Sequence, residues 1–357
     1  NPMQILSAGF LLSYGAVLGI AVVYPALKLL FDKDERAKEL QAKEARARGK
    51  KCASIAKLLL EIKEGISKSF LISLSTQLTT IPVVLFFFYQ IPLYSIIINL
   101  IILPLVTILI LLAFLGAIAG LVYLPAGVFV IGGANYILKL YELICRLGSV
   151  LPANLLTVGR PDCFKLMIYC ICLCVFLILL CRYKSRTAFL VMAAGLLLLV
   201  LPKRNEGLMV TFLDVGQGDA IYIESASNTT YLVDGGSSDV SKAGIYRIKP
   251  FLLSRGRDVI DFAIISHSDW DHTGGLTEII NDGSIRVKNL ILPDIAAKDD
   301  AYIRLEELAQ QKNIPVSYIS AGDSIRDGDI LISCLHPVEA YNPPNKNAYS
   351  TVLSLQY

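Results

Sequence analysis

The 357-residue chain is 54% hydrophobic with a mean hydropathy of +0.58, too apolar overall for a purely soluble protein. Its net charge of +3 hides two opposed halves: up to Glu206 there are 21 Lys+Arg against 10 Asp+Glu, and from Gly207 onward 12 against 20. The basic half suits anionic lipid headgroups, whereas the acidic half excludes a broad nonspecific nucleic-acid surface except where divalent cations offset it.

In chain order, residues 5–30 are apolar over the ~20 residues of a membrane span. Ser7, Ser13 and Tyr14 inside them predict a helix that faces other helices. Residues 32–51 alternate acids and bases with alanines, the pattern of a charged helix with i, i+4 pairs. Ile55, Leu58, Leu59, Ile62 and Ile66 carry an amphipathic helix on through 54–69, either on the membrane surface or against the bundle. Residues 70–90, 93–123 and 163–181 are long enough to span, and 187–201 is a shorter candidate. Pro82, Pro92 and Pro104 predict kinked or broken helices whose freed carbonyls need protein or water nearby. In 127–150, Lys139, Glu142 and Arg146 punctuate apolar residues, which leaves a half-buried span and a surface helix both open.

Eight cysteines form no zinc spacing, CxxC motif or disulfide framework. Cys170, Cys172 and Cys174 read as buried small hydrophobes, and Cys334 as strand core. Orientation follows the basic bias: eight Lys+Arg in 32–51 and three in 182–186 belong in the cytoplasm. Residues 187–201 then run outward and place the acidic region outside the cell membrane, although Lys203 and Arg204 argue the other way.

Beyond Pro202 the pattern becomes that of a soluble α/β domain. Strands are expected at 208–215, 219–224, 229–233, 262–265, 290–293, 316–319, 331–335 and 351–357, with helices starting at 275 and over 301–312. That alternation predicts a layered sandwich. The chain opens on Asn1-Pro2 and stops at Tyr357 inside a strand-like run, so both ends read as cut and no signal peptide can be assessed.

The chemistry concentrates in His267-Ser268-Asp269-Trp270-Asp271-His272, which holds two of the three histidines in the chain. Imidazole and carboxylate are ligands of hydrolytic divalent metals. Four such side chains crowded after a strand repel or desolvate one another unless a cation is present, the alternative being a solvated acidic loop.

This H-x-D-x-D-H run, with Leu232-Val233-Asp234-Gly235-Gly236 upstream, resembles the metallo-β-lactamase superfamily, with Asp269 where that superfamily more commonly has histidine. Phe212-Leu213-Asp214-Val215-Gly216-Gln217-Gly218-Asp219-Ala220 narrows the likeness. Together with Gly9-Phe10-Leu11-Leu12-Ser13, Ser75-Thr76-Gln77-Leu78-Thr79-Thr80-Ile81-Pro82 and Asn99-Leu100-Ile101-Ile102-Leu103-Pro104, it resembles the ComEC family of competence proteins. The resemblance implies a polytopic α-helical membrane domain at 1–202 and an incomplete αββα metallo-β-lactamase-like hydrolase domain at 207–357. It implies a multi-pass protein of the bacterial inner membrane that takes up single-stranded DNA in natural transformation with other uptake machinery. A fused nuclease would degrade the strand not imported.

By the same match, His267 with Asp269 and Asp271 with His272 would hold two divalent ions, zinc or manganese. Asp271 and Asp234 would serve catalysis, with Asp234 orienting a ligand unless it only caps the Gly235-Gly236 turn. Gln217, Asp219, Asn347 and Ser350 are candidate substrate contacts, with Asn347 also a weak metal donor or an ordinary loop residue. Asp214 reads as a buried, turn-stabilising carboxylate and His336 as a strand-end histidine. The family's Gly-Asp segment, with a metal-bridging Asp, would follow Tyr357. Two other readings stay open: a membrane-anchored hydrolase of a small ester, lactone or nucleotide, and a transport protein with an inactive hydrolase-fold module.

Overall fold

The structure is a computed structural model that describes residues 2–29, 52–202, 207–339 and 345–357. The expected charged helix over 32–51 and the pair Lys203 and Arg204 lie outside the described residues. Contacts divide the chain into two units, 1–156 with 161–201 and 157–160 with 202–357.

The first unit is helical. Among the described residues, five helical stretches are long and apolar enough to cross a membrane: Ala8–Leu29, Glu61–Phe88, Ser95–Val122, Leu124–Val150 and Cys163–Tyr183. Ala188–Val200 is apolar but shorter. The amphipathic stretch at 54–69 and the span after it form one helix, Cys52–Phe88. Helices Cys52–Phe88 and Ser95–Val122 both continue through their prolines, Pro82 and Pro104, so the expected breaks do not occur there. The physical consequence of Pro82 is still visible. Its missing N–H leaves the Leu78 carbonyl without its helical donor, and the hydroxyl of fully buried Tyr169 donates to that oxygen at 2.6 Å. Pro92 lies instead in a short strand, β1 (Gln90–Pro92), which pairs with β2 (Leu155–Thr157).

Cys170 and Cys174 are exposed and Cys172 is half-buried, contrary to the expectation of three buried thiols. At about 100° per residue, alternate positions on a helix fan around it and cannot share one inward face. Cys334 is buried as expected.

The second unit is a mixed α/β sandwich. Its larger sheet comprises β3 (Met209–Phe212), β4 (Ile221–Glu224), β5 (Thr230–Val233), β6 (Val259–Ile264), β7 (Arg286–Pro293) and β8 (Val316–Ile319), in that order. The first three strands are antiparallel, and β5 through β8 are parallel. A smaller antiparallel sheet has the order β11 (Val352–Gln356), β10 (Ile330–His336), β9 (Ser324–Asp327). Ile223, Tyr231, Ile264, Ile291 and Ile319 from the large sheet pack with Ile330, Ile332 and Cys334 from the small one. Burial of these facing apolar side chains holds the two sheets together. Helices Trp270–Asp282 and Asp300–Gln311 bury Leu276, Ile279, Ile280, Tyr302, Leu305 and Ala309.

Two elements escape the sequence pattern. Strand Ser324–Asp327 is polar at both ends, and the helical run Gly244–Ile248 with Lys249–Ser254 opens on glycine and contains Pro250, so neither shows a clean apolar period.

Candidate active site

The candidate residues gather at the carboxyl ends of β5 and β6, where parallel strands hand over to loops and helix starts. Helix Trp270–Asp282 begins earlier than the sequence suggests, because His272 N and Thr273 N already bond the Asp269 carbonyl at 3.0 Å. Asp269 is therefore the residue before the helix, and Asp271 and His272 ride its first turn.

Asp234 is the buttress of this region. It follows β5 in the left-handed conformation (φ 56°), which Asp tolerates better than bulkier residues, and it is 5% exposed. Its Oδ1 accepts from Ser266 N at 2.7 Å. Its Oδ2 accepts from Ser266 Oγ at 2.6 Å and faces His272 Nδ1 at 2.9 Å. That contact leaves His272 Nε2 3.9 Å from Asp271 Oδ2, while Asp219 Oδ2 lies 3.8 Å from Nδ1. His267 is arranged in the same way. Its Nδ1 meets Ser266 Oγ at 3.0 Å and Ser350 Oγ at 3.3 Å, and its Nε2 lies 3.6 Å from Asp269 Oδ2. The two imidazoles stand 4.0 Å apart, centre to centre.

Burial and the neighbouring His272 hold His267 below the usual histidine value. Burial also pulls His272 down, but the hydrogen bond and charge of Asp234, with Asp271 and Asp219, outweigh it and leave His272 raised. The region thus sets four carboxylates, Asp219, Asp234, Asp269 and Asp271, around two imidazoles.

Among the described residues no three His, Cys, Asp or Glu side chains are arranged to hold a metal ion. The donors come as two pairs, His267 Nε2 with Asp269 Oδ2 and His272 Nε2 with Asp271 Oδ2. In donor chemistry these pairs fit divalent cations: imidazole and carboxylate are usual ligands, and each Nδ1 is engaged by a neighbour, which leaves Nε2 as the donor nitrogen.

The Gly216–Gly218 turn is drawn up against this region. Asp219 N donates to the Asp271 carbonyl at 3.2 Å, and Gly236 N donates to the Asp219 carbonyl at 3.2 Å. Any Cβ on Gly218 (φ 158°) would stand 2.5 Å from both the Asp271 and Gly236 carbonyl oxygens, so only glycine permits the approach. Gln217 and Asp219 project from this turn and are exposed. Asp214 corrects the expectation of a buried carboxylate: its side chain is 88% exposed, 3.9 Å from Arg247 Nη1. Asp239 stabilises the turn instead, accepting from Gln217 N at 2.7 Å and Ser237 Oγ at 2.9 Å. It can do so because the 237–240 loop, rather than the turn's own preceding residue, faces the turn amides.

The 345–351 segment clasps the histidine loop from the other side. Ser350 reaches His267, Thr351 N donates to the Ser266 carbonyl at 2.9 Å, and Tyr349 OH donates to Ser268 Oγ at 2.8 Å. Ser268 Oγ in turn donates to Asp299 Oδ2 at 2.5 Å. Asn347 is exposed on the 3-10 turn Lys346–Tyr349, and its carbonyl accepts from Ser350 N at 3.3 Å. His336 Nε2 meets the Ala348 carbonyl at 2.8 Å and so braces the same turn. Sequence reading missed Ser266, Ser268, Asp299 and Tyr349. Small hydroxyl residues and a distant tyrosine carry no local signature of such a contact.

Comparisons with known proteins agree with this division. Residues 1–183 match the family model described as competence protein, and residues 213–339 match that of the metallo-beta-lactamase superfamily. ComE operon protein 3 of Bacillus subtilis (strain 168) is 23% identical over 323 residues, 83% of this chain and 40% of that protein. The chain thus spans well under half the length of this relative. Two solved structures are similar at low TM-scores. The metallo-beta-lactamase fold protein YhfI from Bacillus subtilis has a TM-score of 0.28 and 14% identity, covering 42% of this chain and 56% of its own. CmlA, a diiron beta-hydroxylase from Streptomyces venezuelae, has a TM-score of 0.27 and 17% identity, covering 48% and 31%. A competence match over half the chain, followed by a mixed sheet with the histidine loop at its strand ends, assigns the chain to the competence protein family, with a metallo-beta-lactamase superfamily domain joined to it.

Proposed function

We propose that this chain belongs to a DNA-uptake protein of the bacterial inner membrane. Residues 1–202 pass single-stranded DNA in natural transformation, and residues 207–357 belong to a nuclease that hydrolyses the strand not imported. The observation that carries the reading is the union, in one chain, of a competence-family body, with five candidate spans among the described residues, and two imidazole–carboxylate pairs. The basic segments at 32–51 and 182–186 favour an extracytoplasmic hydrolase domain.

In this reading His267 with Asp269 and Asp271 with His272 would hold two divalent ions, zinc or manganese. Bound there, such ions supply positive charge against the charge that builds on a phosphodiester. The rest is done by the chain itself. Asp234 fixes the His272 ring through Nδ1, and Ser266 with Ser350 fix His267. Asp271, 3.9 Å from His272 Nε2, would serve catalysis, and Gln217 and Asp219 on the exposed turn would contact substrate. Asn347 and Ser350 would also contact substrate, Ser350 standing 3.3 Å from His267 Nδ1.

The test compares cleavage of a single-stranded oligonucleotide by the whole protein and by Asp271→Ala in added zinc or manganese. The variant is expected to lose activity at least about 100-fold; equal cleavage by both refutes the assignment. The excess of acidic residues from Gly207 onward favours, as a second reading, a membrane-anchored hydrolase of a small ester, lactone or nucleotide. Turnover of such an ester without DNA cleavage would select it.

A further inference from the structure

The Cys52–Phe88 helix manages its hydroxyls in a regular way. Ser75, Thr76, Thr79 and Thr80 each donate to a carbonyl one turn back, at 2.6, 3.1, 3.2 and 2.8 Å. Ser73 departs from the pattern: it is 2% exposed, and its hydroxyl oxygen has no hydrogen-bond partner among the described residues. A buried hydroxyl without a partner costs on the order of 1–3 kcal/mol. Ser73 lines a cavity of about 160 Å³, whose polar wall is completed by Thr76, Gln77, Thr80, Ser95 and Asn99. Among the described residues, no acidic or basic side chain lines it. The volume is several times the ~30 Å³ share of one water.

The backbone around this cavity is also unusual for its depth. Gln77 Nε2 donates to Ser95 Oγ at 2.9 Å, so helix Ser95–Val122 starts beside Gln77. At about 1.5 Å of rise per residue, Gln77 lies about 16 Å short of the helix end at Phe88. The chain returns over that distance through a left-handed Tyr89 and strand β1, and Leu93 N donates to the Asn154 carbonyl at 3.0 Å. Non-helical backbone at membrane depth persists only where protein covers it or where it lines a polar path. A long helix that begins partway across a span aims its free N–H groups and positive dipole end at whatever fills that path.

We propose that this cavity is a subsite for one phosphodiester of a passing single strand. The Ser73 hydroxyl, the amides of Gln77 and Asn99 and the first-turn N–H groups of Ser95–Val122 replace part of the water around the phosphate. Thr76 and Thr80, whose hydroxyls donate to their own helix, shape the wall. An uncharged donor set suits transit, because a site that a strand must leave cannot bind its anion as tightly as an arginine cluster would. Contact with the phosphate rather than the base also makes passage independent of sequence. The subsite rests on the DNA-passage reading above and deepens it.

The test uses the whole protein in phosphatidylcholine vesicles with a thymidine oligonucleotide as probe. Ser73→Ala is expected to slow oligonucleotide entry roughly 3- to 10-fold. Its thermal midpoint should not fall and should rise slightly, since the hydroxyl removed is buried without a partner, and Ser73→Thr should recover entry. In Ser73→Cys, labelling of the introduced thiol, read peptide by peptide, should be blocked by the oligonucleotide and not by its uncharged methylphosphonate analogue. Unchanged entry in Ser73→Ala, or equal protection by the analogue, overturns the subsite. Protection that instead follows replacement of phosphatidylcholine by phosphatidylglycerol assigns the cavity to lipid headgroups and overturns it too. If the unmodified protein passes no oligonucleotide, the DNA-passage reading falls and the subsite with it. If it passes oligonucleotide and Ser73→Ala does so equally well, the subsite falls alone.

Discussion

Replacing Asp234 with asparagine should loosen the histidine loop without unfolding the domain. Asparagine tolerates the left-handed conformation at φ 56°, so the backbone is kept. Its single carbonyl oxygen can still accept from Ser266 N, now at 2.7 Å. Its amide nitrogen then faces His272 Nδ1, where a carboxylate oxygen stands at 2.9 Å in the native protein. The same nitrogen also replaces the acceptor of Ser266 Oγ, at 2.6 Å in the native protein, but that hydroxyl can turn to accept from the amide, so the net loss is the charge-assisted bond to His272, about 2 kcal/mol. His272 loses the main influence that raises its pKa and is expected to fall, because the burial that opposes protonation remains. Local opening should therefore become about 30-fold easier at roughly 1.4 kcal/mol per decade. Hydrogen exchange of the whole protein in detergent, read on peptides covering residues 233–237 and 264–276, measures this through the amides Gly235 N and Leu276 N, which bond at 2.7 Å. Asp214→Asn is the control, since that side chain is 88% exposed and should change nothing. Unchanged protection in Asp234→Asn would refute the buttress.

Tyr169→Phe should cost about 1 kcal/mol in the helical unit, seen as a lower thermal midpoint in detergent, because it strands the Leu78 carbonyl that Pro82 cannot serve. An unchanged midpoint would mean that water takes the place of the hydroxyl. Arg257→Met should be far more damaging to the second unit. Glu224 is 2% exposed and bonds Arg257 Nη2 at 2.7 Å and Tyr222 OH at 3.0 Å, with Arg255 farther off at 3.5 Å. Removing its best cation is expected to cost about 3 kcal/mol, measured by urea resistance to proteolysis. Burial raises the Asp261 pKa, but hydrogen bonds from Lys288 and Thr230 outweigh it and hold it below 3.8. Its contribution is therefore present above the unfolded value and lost as pH falls through the folded one. Lys288 is about half exposed, so screening keeps the effect below about 1 kcal/mol. The stability gap between Asp261→Asn and the native protein should close on acidification from pH ~5 to pH ~3; a gap that widens would contradict the sign.

Much of the architecture was legible because it is encoded locally. The apolar runs at 70–90 and 93–123 need only length to be recognised, and the alternating or apolar strands at 208–215 and 219–224 need only a short period. The histidine loop stood out because two of three histidines fall within six residues. Partnerships across the chain were not legible. Ser268 meets Tyr349 across 81 positions, and Asp239 rather than Asp214 holds the Gly216–Gly218 turn across 22. The alternating cysteines at 170–174 were misread because composition says nothing about which side of a helix faces its neighbours.

The sequence by itself determined that an apolar, basic helical region precedes an acidic α/β domain, and that imidazoles and carboxylates crowd after one of its strands. Only the tertiary structure decided which carboxylate orients His272, which serines hold His267, and that the helix beginning at Ser95 starts beside Gln77. Periodicity and composition report a residue's own surroundings along the chain. A hydrogen bond between distant residues exists only once packing has brought them together, and it leaves no trace in either segment alone.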